Sequence, residues 1–293
     1  MKGPTLLVLA AGIGARFGGR KQFFGMGSHG ETLADFALYD AWREGFGRAL
    51  FIVRAEDESY CRDLYARRWA GKLAVETVVQ RLSDLPGGRK PPQGRAKPWG
   101  TAHALWCARG RLEDPFAVIN ADDFYGRRAF AAMRAALAGP PDEGALVAYP
   151  IGETLSPSGS VARAICRVGP DGLLESILEC RDVRRTERGI VAADAGGLLL
   201  AEDAPVSMNF WGLPPRVLDA CGSVLDRLSG TRAADLNAEL AISEMVAELL
   251  REGALRVRVL RDGKDWIGVT YREDAEGASR RLRALVDAGA YPL

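Results

Sequence analysis

Residues 5–22 of the chain read TLLVLAAGIGARFGGRKQ, an apolar run that passes directly into a glycine-rich segment. The run from Thr5 to Ala10 is typical of a strand buried on both faces of a parallel sheet. The glycines that follow allow turns with positive φ and a close approach of backbone N–H groups to an anion. Arg16 and Lys21 add positive charge suited to a polyphosphate. The segment predicts a phosphate-binding loop or, if it binds nothing, a flexible connection with surface cations.

Two common phosphate-binding motifs do not match this segment. The dinucleotide fingerprint G-x-G-x-x-G requires glycine where Phe17 stands, and no acidic residue ends a second strand ~20 residues later. The P-loop motif ends in Lys followed by Ser or Thr, whereas Gln22 follows Lys21. The sequence therefore disfavours both an NAD-dependent dehydrogenase and a P-loop protein.

The composition is that of an ordinary globular protein. Of the 293 residues 47% are hydrophobic, and 39 Lys and Arg against 38 Asp and Glu leave a formal charge of +1. This balance argues against nonspecific nucleic-acid binding through a broad basic surface. No apolar run reaches the ~18 residues needed to cross a bilayer, and the five scattered cysteines suggest neither a disulfide framework nor a zinc site. We therefore expect a cytoplasmic protein that binds neither nucleic acid nor membrane.

Strand-like and helix-like segments alternate through the first half of the chain. This alternation predicts an α/β fold with a mostly parallel central sheet flanked by helices on both faces. After Pro150 the pattern changes to an antiparallel hairpin, which adds a mixed or antiparallel sheet portion to a single domain over 1–293. The expected strands are 5–10, 49–53, 75–79, 116–120, 145–149, 162–168, 173–179, 206–213 and 255–260. The expected helices are 32–44, 56–69, 101–109, 127–137, 215–228, 236–252 and 273–287.

Residues 9–22 resemble the signature of the nucleotidyltransferases that have the sugar-nucleotide pyrophosphorylase fold, which is GT-A-like. That signature is an apolar strand followed by L-A-A-G-x-G-x-R and then by K-Q or P-K-x, and only the proline before the lysine is missing here. The resemblance implies that Arg16 and Lys21 are catalytic and stabilise the transferring and leaving phosphates. It also implies a loop around the triphosphate of a bound NTP, formed by Ala10, Ala11, Gly12 and Gly14. Residues 1–150 would then be the nucleotide-binding half and 151–293 the acceptor-binding half.

Residues 100–105 read GTAHAL and resemble the G-T-A-x-A segment that lies under the nucleotide base in that family. The resemblance assigns Gly100 and Thr101 to the nucleotide site. The family usually has Gln about five residues before this glycine, and Arg95 stands at that spacing here, with Gln93 two residues earlier. Arg95 is therefore a candidate contact to the base. Without a ligand, the same segment would simply begin a helix.

Residues 119–126 read INADDFYG and place two carboxylates after an expected buried strand. Carboxylates at the C-terminal edge of a parallel sheet face the ligand crevice, and their hard oxygens suit Mg²⁺. Asp122 aligns with the metal-binding Asp of the resembled family, whereas Asp123 could instead cap the next helix. The family's second metal ligand falls on Thr270, so Asp265, just upstream, is an alternative source of that carboxylate.

Two further segments resemble the acceptor side of the family's site. Residues 179–182 read ECRD and resemble the E-x-K segment, which implies that Glu179 binds sugar hydroxyls and that Arg181 replaces the phosphate-binding Lys. The plainer alternative is an exposed, charged strand end. Asn209 interrupts an otherwise apolar strand, and a buried Asn needs a partner, which favours contact with the acceptor.

The resemblance implies an enzyme, a Mg²⁺-dependent nucleotidyltransferase that joins an NMP from an NTP to a sugar 1-phosphate and releases pyrophosphate. The acceptor phosphate is already an anion, so no general base is required, and the two histidines of the chain are not needed as bases. Two alternatives remain open. One is a glycosyltransferase that uses an NDP-sugar, and the other is a non-catalytic regulator that binds nucleotides with the same fold.

Overall fold

The fold, in a computed structural model, is described for residues 3–12, 21–231 and 235–292, and for Lys21, Leu228 and Ser229 the backbone alone. The strands are β1 (Thr5–Leu9), β2 (Arg48–Val53), β3 (Ala74–Val79), β4 (Phe116–Asn120), β5 (Asp123–Phe124), β6 (Glu143–Pro150), β7 (Val161–Val168), β8 (Leu174–Thr186), β9 (Gly189–Ala192), β10 (Leu198–Leu200), β11 (Pro205–Leu213), β12 (Arg256–Leu260) and β13 (Ile267–Gly268). The helices are α1 (Leu33–Arg43), α2 (Glu58–Arg68), α3 (Thr101–Cys107), α4 (Arg127–Ala136), α5 (Val217–Thr231), α6 (Ile242–Arg251) and α7 (Ala275–Asp287).

One mixed sheet carries the fold, in the order β10-β9-β8-β7-β11-β4-β1-β2-β3, with β6 also paired to β11 and β12 to β6. The first-half strands β3, β2, β1 and β4 are parallel to one another, and Leu9 lies opposite both Ile52 and Asn120. Strand β11 runs antiparallel to β4 and begins the antiparallel portion. The predicted α/β class, a parallel sheet extended by an antiparallel part, is confirmed.

Alternate residues of β1 enter two separate hydrophobic layers. Leu6 and Val8 pack into the layer that contains α1, α2 and α4, whereas Leu7 and Leu9 pack into the layer that contains α3, α5 and α6. This explains the unbroken apolar run, because a strand covered by helices on both faces has no position for a polar side chain.

Strand β11 changes its partners along its length. Its first residues pair with β6 and β7, and Trp211–Leu213 pair with β6 and β4. Between Ser207 and Trp211 the strand leaves the ladder in a bulge, and Asn209, at its centre, has φ of 62°. Strands β4 and β7 therefore part at this point, and a crevice opens between the parallel and antiparallel parts of the sheet.

One expectation about the second half is wrong, and two neighbouring short strands were not predicted. The predicted helix over 236–252 begins only at Ile242, where Thr101 Oγ1 accepts from its backbone N–H at 3.0 Å. Leu240 before it makes backbone hydrogen bonds with Trp99 and Ala102 at 2.8 and 2.9 Å, which keep residues 238–241 out of the helix, and residues 236–237 form a turn. Strands β9 and β10 were not expected, because they have only four and three residues. Among the described residues, no helix is long and apolar enough to span a membrane.

Candidate functional site

A cleft of about 1190 Å³ lies across the C-terminal ends of the parallel strands. Its walls include residues after β1, β3 and β4, together with Glu179 of β8, Asn209 of β11 and the segment 235–241 that precedes α6. In open α/β sheets ligands bind at this edge, where the strand order changes direction. The cleft is therefore the candidate ligand site.

The residues after β1 form the floor of this cleft. Ala11 and Gly12 line it, and the Gly12 carbonyl accepts from Gln22 Nε2 at 2.6 Å. Ala10, which was expected at the nucleotide, is buried one residue earlier and bonds to the Ile52 carbonyl at 2.8 Å, so it does not line the cleft. Gly14 and Arg16 lie outside the described residues. The backbone of Lys21 begins a short 3₁₀ turn, and its side chain also lies outside the description.

Arg95 is buried away from the cleft, contrary to the expectation that it contacts the base. Its guanidinium lies 3.4 Å from the centre of the Trp99 ring and donates to the carbonyls of Pro98, Asp235 and Ala238 at 3.2, 3.2 and 2.5 Å. Burial lowers the pKa of Arg95, and the charge of Asp235 opposes this. The planar donors of Arg95 are thus used to attach segment 235–241 to the loop before α3.

Gln80 is a polar cleft residue that the sequence analysis missed. It follows β3 directly and lines the cleft, and its Nε2 lies 3.0 Å from both Gly100 O and His103 Nδ1. A polar residue directly after a predicted parallel strand could have indicated it. The spacing argument failed because a loop over 83–99 separates Gln80 from the G-T-A segment.

Gly100 and Thr101, which the sequence assigned to the nucleotide site, line the cleft, and both also have structural tasks. Gly100 has φ of 94°, and a Cβ there would lie 2.6 Å from the backbone N and O of Leu240, so only glycine fits. Thr101 uses its hydroxyl oxygen to accept from the first N–H of α6.

Two adjacent carboxylates after β4 have different environments. Asp122 lines the cleft, whereas Asp123 is buried and accepts from Asn120 Nδ2 at 2.8 Å. Asp123 does not cap α4, since the capping position is Gly126. Asp265 is exposed, has φ of 59° and lies outside the cleft. The chain turns there so that the following Trp266 enters the core, and Asp265 is thereby left on the surface.

The acceptor-side candidates come together at the other end of the cleft. Glu179, Arg181 and Asn209 all line it. Burial raises the pKa of Glu179, and a hydrogen bond from Ser243 Oγ opposes that shift. Arg181 is exposed, and its backbone N–H donates to Asp194 Oδ2 at 2.6 Å. The fold thus places these three candidates, from β8 and β11, on one wall of the cleft.

Behind this wall lies a smaller polar cavity of about 180 Å³ that the sequence analysis did not find. Arg163 lines it and is buried, and its Nε donates to Thr154 Oγ1 at 3.0 Å. Burial lowers the pKa of Arg163 to about 10, and the charges of Asp123 and Glu179 oppose this shift. Trp266 also lines the cavity, and its buried Nε1–H has no partner among the described residues. The cavity therefore offers both donors and acceptors to a ligand.

Asp122 and Thr270 offer oxygen ligands that suit a hard cation. Both line the same cleft, Asp122 with a carboxylate and Thr270 with a hydroxyl oxygen. Within the described ranges, no three Asp, Glu, His or Cys residues form a group that could enclose a metal ion. Mg²⁺ commonly takes only one or two protein carboxylates and completes its shell with water and substrate phosphates. The residues present fit that mode of binding.

No family model matches the chain, and no curated protein matches its sequence. Solved structures do match its fold. The inositol-1-phosphate CTP transferase from T. maritima superposes with a TM-score of 0.65 at 12% identity, over 96% of each chain. A UDP-glucose pyrophosphorylase in complex with UDP-glucose gives 0.63 at 15% identity, over 96% of this chain and 98% of that one. The UDP-glucose pyrophosphorylase from Acinetobacter baumanii gives 0.60 at 13%, over 96% and 93%. The chain therefore has the fold of these nucleotidyltransferases.

Proposed function

We propose that the protein is a nucleotidyltransferase that transfers an NMP from an NTP to a sugar 1-phosphate and releases pyrophosphate. The observation that carries this proposal is that one cleft is lined by Gly12 after β1, by Asp122 and by the polar wall of Glu179 and Asn209. The proteins that share the fold support it, since their names describe a CTP transferase and UDP-glucose pyrophosphorylases.

The order of the strands supports one arrangement of the substrates. The loop after β1, with Gly12 in the cleft and Arg16 and Lys21 further along, suits the triphosphate, because backbone N–H groups and cations bind phosphate oxygens. The acceptor then lies toward β8 and β11, and the base toward β3. Arg163 and Trp266 as donors, with Asp123 and Glu179 as acceptors, suit a polyhydroxylated acceptor such as a sugar.

The reaction needs positioning and charge neutralisation rather than a general base. An oxygen of the acceptor phosphate attacks the α-phosphorus, and the bond from that phosphorus to the bridging oxygen breaks as pyrophosphate leaves. Lys21 and Arg16 would offset the charge that builds on the leaving group. Asp122 and Thr270 would hold Mg²⁺, which supplies charge neutralisation on the nucleotide phosphates when bound.

A pyrophosphate-release screen tests the proposal. The four common NTPs are combined with a panel of sugar 1-phosphates and phosphocholine, in the presence of Mg²⁺. We expect release that requires both an NTP and one acceptor. NDP release from an NDP-sugar, with no pyrophosphate from any NTP, would instead identify a glycosyltransferase. Nucleotide binding without any turnover would identify a regulator. A reaction that consumes NTP fits a cytoplasmic enzyme.

A further inference from the structure

The side-chain amide of Gln80 is held in one orientation by the groups around it. His103 Nε2 lies 2.7 Å from the Asp84 carbonyl oxygen, which can only accept, so Nε2 carries the ring hydrogen. His103 is fully buried, and burial lowers its pKa, so the ring is neutral at physiological pH. Its Nδ1 is therefore a hydrogen-bond acceptor.

The two acceptors near Gln80 determine which end of its amide reaches the cleft. Nε2 lies 3.0 Å from Gly100 O and 3.0 Å from His103 Nδ1, so both of its hydrogens are donated. A flipped amide would direct Oε1 at two acceptors. No described residue donates to Oε1, and Gln80 lines the cleft. Gln80 thus offers the cleft only a hydrogen-bond acceptor, its Oε1.

This end of the cleft is the end left for the base. In the proposed arrangement, phosphates near Gly12 would occupy the centre of the cleft and an acceptor at Glu179 and Asn209 the far end. Beyond β1 in the sheet order lie β2 and β3, and Gln80 follows β3. The apolar side chains of Leu236 and Leu240 line the cleft and can pack against an aromatic base. This step rests on the proposed function.

We propose that His103 is a positioning residue that makes Gln80 an acceptor only, and that Gln80 Oε1 faces the C4 substituent of a pyrimidine or the C6 substituent of a purine, so that the site selects a base with an amino group at that position. The amino group of cytosine or adenine donates to Gln80 Oε1. The carbonyl oxygen of uracil or guanine at the matching position directs its lone pairs at Oε1, and a mismatched polar pair out of water lowers affinity roughly 10-fold or more. CTP and ATP are the favoured substrates, and CTP and UTP form the closest pair for comparison.

Equilibrium binding of each NTP to the whole protein, by calorimetry with Mg²⁺, tests the proposal without an acceptor. We expect the Kd for CTP to be roughly 10-fold or more below that for UTP, with ATP below GTP if purines enter. Equal affinities, or tighter binding of UTP, would overturn the proposal, even if the pyrophosphate-release screen succeeds. Base-selective binding without transfer to any acceptor would support it and remove the transferase assignment alone.

Three variants test whether the contact between His103 and Gln80 determines the selectivity. His103→Leu removes the Nδ1 acceptor, so the ratio of the Kd for UTP to that for CTP falls toward one. His103→Asn keeps a side-chain oxygen near the position of Nδ1 and should retain the ratio. Gln80→Met removes Oε1 and should abolish the preference, and it provides a test if His103→Leu fails to fold. A purely structural role of His103 would weaken all NTPs equally and leave the ratio unchanged, which would overturn the proposal.

Discussion

The side-chain amide of Asn209 joins two strands across the bulge in β11: its Nδ2 lies 3.3 Å from Asn120 Oδ1 at the end of β4. Its Oδ1 accepts from Trp211 Nε1 at 3.3 Å, and its own backbone adopts φ of 62°. A left-handed backbone in a strand costs free energy, which the surrounding hydrogen bonds offset. Such strain is often found at binding sites.

Replacing Asn209 by Gly and by Ala separates strain from ligand contact. Both variants lose the amide, so we expect the KM for the acceptor to rise roughly 10-fold in each. Only Ala also strains the left-handed backbone, so it should unfold at a lower temperature than Gly, by the equivalent of about 1 kcal/mol. Initial rates and thermal unfolding measure the two effects. An acceptor KM unchanged in Asn209→Gly would remove Asn209 from the acceptor site.

Asp122→Asn tests the metal assignment. The amide retains the shape of the carboxylate but removes its charge, so we expect Mg²⁺-dependent turnover to be abolished. A titration of activity with Mg²⁺ measures this. Asp265→Asn is the matched control, since that carboxylate is exposed and lies outside the cleft. An unchanged titration for Asp122→Asn would exclude Asp122, and a loss in the control would point to Asp265 instead.

Lys21→Ala tests the assignment of the loop after β1. Loss of a cation that offsets charge in the transition state should reduce kcat by on the order of 10² or more. The unfolding transition should stay within about 0.5 kcal/mol of that of the parent protein. Lys90→Ala, at an exposed position outside the cleft, provides the comparison and should retain full turnover. Near-normal kcat for Lys21→Ala would be incompatible with the assignment.

Arg95→Ala and Arg95→Lys test whether the buried guanidinium supports the rim of the cleft. Three backbone carbonyls lose their donor in Arg95→Ala, so we expect a loss of about 2–3 kcal/mol in the free energy of unfolding. The Kd for NTP should rise because segment 235–241 is no longer attached. Lysine keeps the charge but lacks the planar donors. We therefore expect Arg95→Lys to show most of the loss in stability and most of the loss in NTP affinity. A lysine variant with normal NTP affinity would indicate that the charge itself matters.

Asp40 is expected to make stability fall as the pH rises. It is fully buried, its Oδ2 accepts from Tyr291 Oη at 2.9 Å, and its Oδ1 has no hydrogen-bond partner among the described residues. Burial raises the pKa of Asp40 from 3.8 to about 7. Below pH 3.8 both states are protonated and the group costs nothing. Between these two pKa values only the unfolded chain ionises, so stability falls by about 1.4 kcal/mol per pH unit, and the full cost persists above pH 7.

Chemical denaturation between pH 4 and 8 measures this effect. Asp40→Asn cannot ionise, so the difference in stability between parent and variant should shift in favour of the variant as the pH rises. The exposed Asp203, changed to Asn in the same way, should leave the pH dependence as it is. Parallel curves for the parent and for Asp40→Asn would show that Asp40 titrates normally in the folded protein.

Sequence patterns predicted the sheet and its helices well because the local signals agree with the tertiary structure. The run Thr5–Leu9 is apolar throughout, since helices cover both of its faces. Residues 236–241 have helical propensity but form a turn and an irregular segment, because hydrogen bonds to Trp99 and Ala102 compete with helix formation. Such contacts join positions about 140 residues apart and leave no local pattern.

The site was predictable where a residue belongs to a compact motif and not where its neighbours come from distant strands. Gly12, Gly100 and Asp122 stand in short motifs and do line the cleft. Gln80 and Arg163 carry no motif, and only the pairing of the strands brings them to the cleft and its inner cavity. Arg95 was selected only because it stands five residues before Gly100. The loop over 83–99 made that spacing misleading.

The bulge in β11 has a consequence for how this site can vary. Ser207 pairs with Ala148 and Trp211 with Leu146, so four steps along β11 match two along β6. The two additional residues are an even number, and side chains alternate with a period of two, so both ends of β11 keep the same faces toward the two layers. Within the bulge, Met208 and Phe210 are buried in the layer that contains α1, α2 and α4, whereas Asn209 lines the cleft and can change without altering that layer. At Asn209 alone, evolution of the acceptor preference is in this respect independent of the packing that holds the molecule together.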